Sequence, residues 1–518
     1  MVFTSFHFVV FFFITITLGH LLKNRWQKIF LLLASYYFYA VLEPWYLILM
    51  LVSSNWDYMA SLGIQAWERK QKGLPPLRGS FLGFFNKRFW LISSLVLNLG
   101  LLAYFKYTNF GIEILNDVHP FGSTLFAWPA TYILLPVGIS FYTFMSLSYT
   151  VDVYRGLIEP RRNLLDFMLY VGFFPHLVAG PIVRATTFFS RLDDRLPVLS
   201  PDIIIGVTRI TVGFFRKLVL SDNLAPLVNG VFGAFNDAGH PLPIHPYDVW
   251  LGGLAFGFQI YLDFAGYTDV ARGVARLFGW EFEVNFLYPM SVRNITEHWS
   301  RWHISFTTWI RDYIFIPLGG SRVGTGRTYI NIFITWLFGG IWHGPAYHYI
   351  AWGIWQGIMV SAHRIYSKTE IREKLNRKGG FVYDIAARIF TMFCLIFGFI
   401  WFRAENMVKA TQMHGRLFGA QDLHESWGAF KSWVFSSGDL SGVWHGLSSV
   451  PWAKLQYAEY TFVLALYFVY EYVFNYLRLD YFWKNENRGK LVFMMISMIF
   501  CIIVFASPDT PNFMYFQF

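Results

Sequence analysis

Charge is what this chain of 518 residues has least of: only 14% of its side chains are Asp, Glu, Lys or Arg, where soluble domains carry roughly 25%. Such a chain cannot cover its apolar bulk with polar groups, which excludes a water-soluble protein of several domains. Cysteine is almost absent. Cys394 and Cys501 both sit in apolar segments, so there is no disulfide framework and no metal-ligand spacing. Several catalytic signatures are missing too. No Gly-x-Ser-x-Gly elbow occurs, which weighs against an independent serine hydrolase. No zinc-binding helix motif occurs either, because His298 and His303 stand five residues apart and fall on different sides of a helix turn. No bound metal is expected.

What fills the chain instead is hydrophobic (55%) and aromatic (21%). The runs at 89–105, 460–476 and 491–506 each approach the roughly 20 apolar residues that cross a bilayer as helix. Many others are interrupted by Gly, Pro, Asn or His. At membrane depth such breaks are tolerated only where neighbouring helices or a wet cavity satisfy the freed backbone groups. The expected fold is therefore all-α, a polytopic transmembrane helical bundle of roughly 11–13 segments counted by spanning length. The first run, 2–22, has no basic stretch before it and no small-residue cleavage pattern, so it is predicted to stay as a helix and not to be a signal peptide.

The net charge of +10 reads as basic cytoplasmic loops and not as a nucleic-acid footprint. Basic residues cluster at 23–28, 69–88, 155–162 and 478–490, and these loops are predicted to face the cytoplasm. Glu43-Pro44 splits the apolar run 29–66 into a helical hairpin. In that register both termini lie outside and 107–129 forms a polar external loop. Residues 404–457 read as a polar loop with short amphipathic helices and 458–518 as C-terminal helices, with 1–518 forming one integral membrane domain.

Ionisable groups inside apolar segments are expensive and mark function by default. They concentrate in two stretches. One runs from Asp263 to Asp269, then through Asn285 and Asn294 to Trp302, His303, Arg311 and Asp312. The other is Phe338-Gly339-Gly340-Ile341-Trp342-His343-Gly344-Pro345. His343 ends an apolar helix next to Trp342, and Gly339, Gly340 and Gly344 let another backbone or a substrate approach closely. An imidazole there can take the proton of a hydroxyl that attacks a thioester; the competing reading is a core histidine satisfied by hydrogen bonds. His303 reads as a second base or positioning group, with a structural role as the alternative. His445 repeats the Trp-His-Gly tripeptide in a polar stretch and reads as a surface coincidence. The turn 318–327 carries Arg322 and Arg327 among glycines and offers either a weak phosphate cradle or a plain connecting turn, since it lacks the Gly-Lys-Ser/Thr of a P-loop.

Taken together, several runs resemble the membrane-bound O-acyltransferase family, and within it the branch of membrane subunits that serve alginate O-acetylation. They are Leu135-Pro136-Val137-Gly138-Ile139-Ser140-Phe141-Tyr142, Asp152-Val153-Tyr154-Arg155-Gly156, Phe174-Pro175-His176-Leu177-Val178-Ala179-Gly180-Pro181, the Asp263 to Asp269 stretch, Arg301-Trp302-His303-Ile304-Ser305, Trp309-Ile310-Arg311-Asp312-Tyr313 and Gly339-Gly340-Ile341-Trp342-His343-Gly344. The motif-bearing core spans 135–403. The resemblance implies that His343 is the family's essential histidine and that Asp263, Asn294, Trp302 and His303 belong to the site. It also implies helices around a central tunnel, in a bacterial cytoplasmic (inner) membrane, with the acyl donor entering from the cytoplasm and the acceptor from outside. His298 and Ser300 depart from the alginate-type pattern around the tryptophan and leave the polymer less defined than the reaction.

The function expected is transfer of acetyl from a cytoplasmic thioester, acetyl-CoA, to an exported polysaccharide, through a periplasmic acetyltransferase partner protein, with membrane lipid as surroundings, no bound cofactor and no nucleic acid. Coenzyme A phosphates would need a basic vestibule, for which Arg322, Arg327 and Arg155 are the candidates because arginine binds phosphate with paired donors. Peptidoglycan, cellulose or D-alanyl transfer to teichoic acid are the competing acceptors. A secondary transporter also uses broken helices and midplane charges, but no two corresponding halves are visible.

Overall fold

The computed structural model describes residues 1, 3–75, 80–118, 133–194, 198–235, 245–418, 451–476, 488–507, 513 and 514. Among the described residues all regular structure is helical. Three helices are long and apolar enough to cross a membrane, Tyr46–Gln71, Lys87–Leu115 and Gly380–Arg403, and Phe6–Leu21 and Gly489–Phe505 are shorter apolar helices. The chain packs as two compact units.

The first unit holds residues 1–214 and 266–284. Its early helices are α1 (Phe6–Leu21), α2 (Asn24–Ala40), α3 (Tyr46–Gln71), α4 (Lys87–Val118) and α5 (Ile139–Tyr154). The break between α2 and α3 falls at Glu43-Pro44, as expected from proline's missing N–H. The expected external loop at 107–129 is corrected in its first part, since α4 continues to Val118. Ile112, Ile114 and Leu115 keep that stretch apolar, and it contains no proline to stop the helix. α3, α4 and α5 are joined by one polar cluster. The fully buried Asp57 accepts hydrogen bonds from Ser94 at 2.5 Å, from Asn98 at 2.9 Å and from Ser146. Without those three donors a carboxyl at that depth would be very costly.

The second unit holds 215–265 and 285–514. After α6 (Leu164–Gly172), α7 (Phe174–Leu177), α8 (Ala185–Asp194) and α9 (Ser200–Phe214), a π-helical turn at Phe215–Ser221 opens this unit, followed by α10 (Ala225–Gly233) and α11 (Pro246–Leu277). Two short helices follow, α12 (Ile295–Arg301) and α13 (Ile304–Ile310), then α14 (Thr325–His343), α15 (Tyr347–Tyr366), α16 (Glu370–Lys378), α17 (Gly380–Arg403), α18 (Met407–Leu417), α19 (Pro451–Tyr476) and α20 (Arg488–Phe505). α18 supplies one amphipathic helix of the segment 404–457; 419–450, with His445, lies outside the described residues. Glu471 of α19 is fully buried and accepts the Met290 N–H at 2.7 Å and the Ser291 hydroxyl at 3.1 Å.

α14 and α15 form a hairpin whose closeness depends on glycine. A Cβ added to Gly340 would stand 2.4 Å from the Tyr349 carbonyl oxygen and 2.9 Å from the Gly353 Cα. Small residues at membrane helix crossings let backbones meet in this way. Gly339, one residue earlier, has room: its added Cβ would meet only Trp336 at 3.8 Å and Phe306 at 4.0 Å. The pair should therefore separate cleanly. Gly340→Ala should lower the thermal midpoint of the detergent-solubilised protein, whereas Gly339→Ala should leave it near wild type; equal midpoints would show that the hairpin does not depend on this contact.

Candidate active site

The site grows from a strained turn in the second unit. α12 begins at Asn294, whose side-chain oxygen accepts the Glu297 N–H at 2.9 Å, while Glu297 returns a carboxylate oxygen to the Arg293 N–H at 2.9 Å. This is an N-terminal cap of the usual Asn and Glu spacing. The helix ends in an extended residue, Trp302, and the chain turns at His303 with φ 42 and ψ 54. A non-glycine residue in this left-handed region stores strain of order 1–3 kcal/mol and persists only when its surroundings hold it. Asn285 does so. Its carbonyl accepts the Ile304 N–H at 2.9 Å, and its side-chain oxygen accepts both the Ser305 N–H at 3.2 Å and the Ser305 hydroxyl at 2.9 Å.

The turn fixes the protonation geometry of the imidazole. His303 caps α13, its Nδ1 accepting the Phe306 N–H at 3.2 Å. With Nδ1 occupied as an acceptor, the neutral ring carries its proton on Nε2. That Nε2 is buried and has no hydrogen-bond partner among the described residues. Leaving a buried donor unpaired is unfavourable by about 1–3 kcal/mol, so this N–H is available to any acceptor that enters the space beside it.

His343 arrives from a different element. It is the last residue of α14, buried, with Gly344 following it. Its ring lies 4.8 Å from those of Trp342 and Phe402 and 5.0 Å from Trp352, centroid to centroid. The two histidines share neighbours: Phe306 is 5.2 Å from His303 and 5.8 Å from His343, and it stacks on Trp342 at 4.2 Å. Trp342 in turn lies 6.2 Å from His303. Two imidazoles thus face one aromatic box, one presenting a fixed donor and the other ending a helix. A proton acceptor and a hydrogen-bond donor in one water-poor space are what acyl transfer to a hydroxyl requires.

The other expected site residues occupy varied places. Asp263 of α11 is fully buried in an ion cluster: Lys217 Nζ is 2.7 Å from both Asp263 and Asp222, and the Met514 N–H donates to Asp263 at 2.8 Å. The next residue, Phe264, stacks edge-on against His303 at 4.6 Å. α11 therefore presents the carboxylate to the cluster and the aromatic ring to the site. Trp302 is buried against His298 at 5.2 Å and Phe286 at 5.3 Å. Asn294 is a helix cap and Gly340 a helix crossing, as described above. Arg322 is exposed on the turn before α14, Arg327 is exposed in the first turn of α14 itself, which begins at Thr325 and so cuts short the expected turn 318–327, and Arg155 is exposed at the end of α5, in the other unit.

Sequence reasoning passed over Lys217, Phe306, Trp352 and Phe402. For Lys217 the signal was present, since Phe214-Phe215-Arg216-Lys217-Leu218 places two cations in an apolar run, the same feature that drew attention to Asp263. The aromatic residues had none, being indistinguishable from the 107 Phe, Trp and Tyr side chains of the chain (56, 21 and 30).

The chain matches the membrane-bound O-acyltransferase family over residues 160–403, a span containing both histidines. It is 38% identical over 425 residues to a protein named probable alginate O-acetylase of Pseudomonas putida, covering 82% of this chain and 81% of that one. It is 31% identical to a peptidoglycan O-acetyltransferase of Helicobacter pylori, over 74% of this chain and 72% of that one, and 28% identical to a teichoic acid D-alanyltransferase of Bacillus subtilis, over 52% and 69%. With the helical architecture, this likeness settles the class: the chain is a membrane protein and an acyltransferase, and it belongs to the membrane-bound O-acyltransferase family.

Proposed function

We propose that this chain is the acetyl-transferring subunit for O-acetylation of an exported polysaccharide of the alginate type, with acetyl-CoA as the cytoplasmic donor. The identity with proteins named alginate O-acetylase supports the polymer class, and the observation that carries the chemistry is the fixed Nε2–H of His303 beside the aromatic neighbours of His343. The chain sits in the cytoplasmic (inner) membrane with both termini outside, by the placement of its basic loops. A periplasmic partner protein receives the acetyl group and passes it to the polymer.

The acceptor hydroxyl oxygen attacks the thioester carbonyl carbon while His343 takes the hydroxyl proton. The carbonyl oxygen becomes an oxyanion and accepts the His303 Nε2–H, an interaction stronger in the transition state than in the ground state. The C–S bond then breaks, the electron pair leaves with sulfur, and the proton on His343 passes to the thiolate to give free coenzyme A thiol. Arg322 and Arg327 hold the coenzyme phosphates on the cytoplasmic side, so that only the narrow, uncharged pantetheine arm enters the membrane interior. Trp342, Gly339 and Trp302 shape the space that the arm fills, and Asp263 positions Phe264 against His303.

Two measurements test the assignment. Purified protein given radiolabelled acetyl-CoA, with and without the products of neighbouring genes, should release or transfer label in the wild type and in His445→Ala but not in His343→Ala; matching activity of the two variants would remove His343 from the reaction. Alginate, peptidoglycan and teichoic acid supplied in parallel identify the acceptor. For His303, loss of one oxyanion donor should lower kcat by about 10²–10³-fold with little change in donor KM. His303→Ala should show that pattern, and His303→Asn, which tolerates the left-handed turn and keeps a donor, should recover part of the rate. An Asn variant as slow as Ala would argue that the ring does something other than donate.

A further inference from the structure

The second unit contains a cavity of about 510 Å³ that Asn294 lines but neither His303 nor His343 does, within the roughly 300–1,000 Å³ range of small-molecule sites. It lies along α17, whose lining residues run from Tyr383 to Cys394, a length of about 16 Å at the helical rise. Its two ends differ. At one end stand Arg293, Arg372 and His363, with the Tyr366 and Tyr383 hydroxyls bonded to each other at 2.9 Å. Towards the other end the walls are apolar, with Met359, Ala387, Phe390 and Cys394.

The surroundings say what such a cavity meets. α17 is one of the helices able to cross a membrane, and Phe381, Val382, Ile389 and Phe390 on it are 65–77% exposed, a face that only hydrocarbon can cover favourably. The polar end adjoins residues 364–378, which carry Arg364, Lys368, Arg372, Lys374, Arg377 and Lys378 against Glu370 and Glu373, the pattern of a cytoplasmic loop. Of the cations at the mouth, Arg293 pairs with Asp384, a carboxylate it shares with Arg388 of α17. His363 Nδ1 is bonded to the Thr296 hydroxyl at 2.7 Å. Arg372 donates Nη1 to the Ser367 carbonyl at 3.3 Å and has no carboxylate partner among the described residues.

We propose that this cavity is a binding site for an anionic phospholipid of the cytoplasmic leaflet, its headgroup phosphate against Arg372 and Arg293 and one acyl chain along α17 between Met359, Ala387 and Phe390. A basic mouth on an apolar, membrane-facing groove fits a molecule that is anionic at one end and hydrocarbon at the other. A free nucleotide would satisfy the mouth but leave the apolar wall uncovered.

The test uses the purified full chain, delipidated in neutral detergent and titrated with phosphatidylglycerol or phosphatidylcholine of matched chains, bound lipid being counted by native mass spectrometry. Phosphatidylglycerol should bind about tenfold more tightly than phosphatidylcholine, the worth of a charge-assisted contact. Arg372→Ala should abolish that preference, Ala387→Phe should fill the groove and abolish binding of both lipids, and Lys374→Ala, a basic change outside the cavity, should alter neither. Equal binding of the two lipids by the wild type overturns the proposal, as does undiminished phosphatidylglycerol binding in Ala387→Phe. Displacement of the lipid by coenzyme A at equimolar concentration overturns it in favour of a nucleotide site.

Discussion

Inside a bilayer no water stands ready to satisfy a polar group, and each one must find its partner within the protein. The interior of this chain is organised around that constraint. Asp57 collects three donors from two neighbouring helices, Lys217 sits between two carboxylates, and Glu471 closes on the backbone and side chain of Met290 and Ser291. These groups are spent on holding helices together. The His303 Nε2–H is one of several buried donors left over among the described residues, with the Asn285 Nδ2 and the Tyr261 hydroxyl; what distinguishes it is that the same ring is held at Nδ1 in a strained turn clamped by Asn285. Strain and an unsatisfied donor at one residue are the physical marks of a site kept ready for a ligand.

The same constraint divides the glycines near His343. Gly340 is needed by the fold, because the carbonyl of Tyr349 leaves no room for a side chain. Gly339 is not, and the space beside it borders Phe306, the ring that touches both histidines. Adjacent positions in one helix thus face a neighbouring backbone and an aromatic ring separately, since successive residues point about 100° apart.

How much of this could be read from the sequence depended on whether the signal was local. The low charge and long apolar runs fixed a helical membrane protein, and Glu43-Pro44 marked the turn between α2 and α3, because composition and proline act locally. His343 and His303 stood out because an ionisable residue is rare in such runs. The role of Asn294 was less visible: a cap and a substrate contact use the same residue type, and the structure shows it capping α12 through the Glu297 N–H while it also lines the cavity along α17. The extension of α4 to Val118 was missed because Asn109 and Gly111 resemble a loop, whereas each costs a helix only about 1 kcal/mol or less and no proline stands before Val118 to stop it. The tautomer of His303 lay beyond the sequence altogether, since it depends on a backbone N–H three residues on.

In the proposed mechanism one chain carries an acyl group from a donor on one face of the membrane to an acceptor on the other. Sealed vesicles of known orientation, containing the purified chain and its acceptor, test it most directly. Radiolabelled acetyl-CoA supplied at the cytoplasmic face should yield free coenzyme A on that side and labelled acceptor on the opposite side, and acetyl-CoA supplied at the other face should yield nothing. Labelled acceptor on the same side as the donor, or equal activity from both faces, would contradict it.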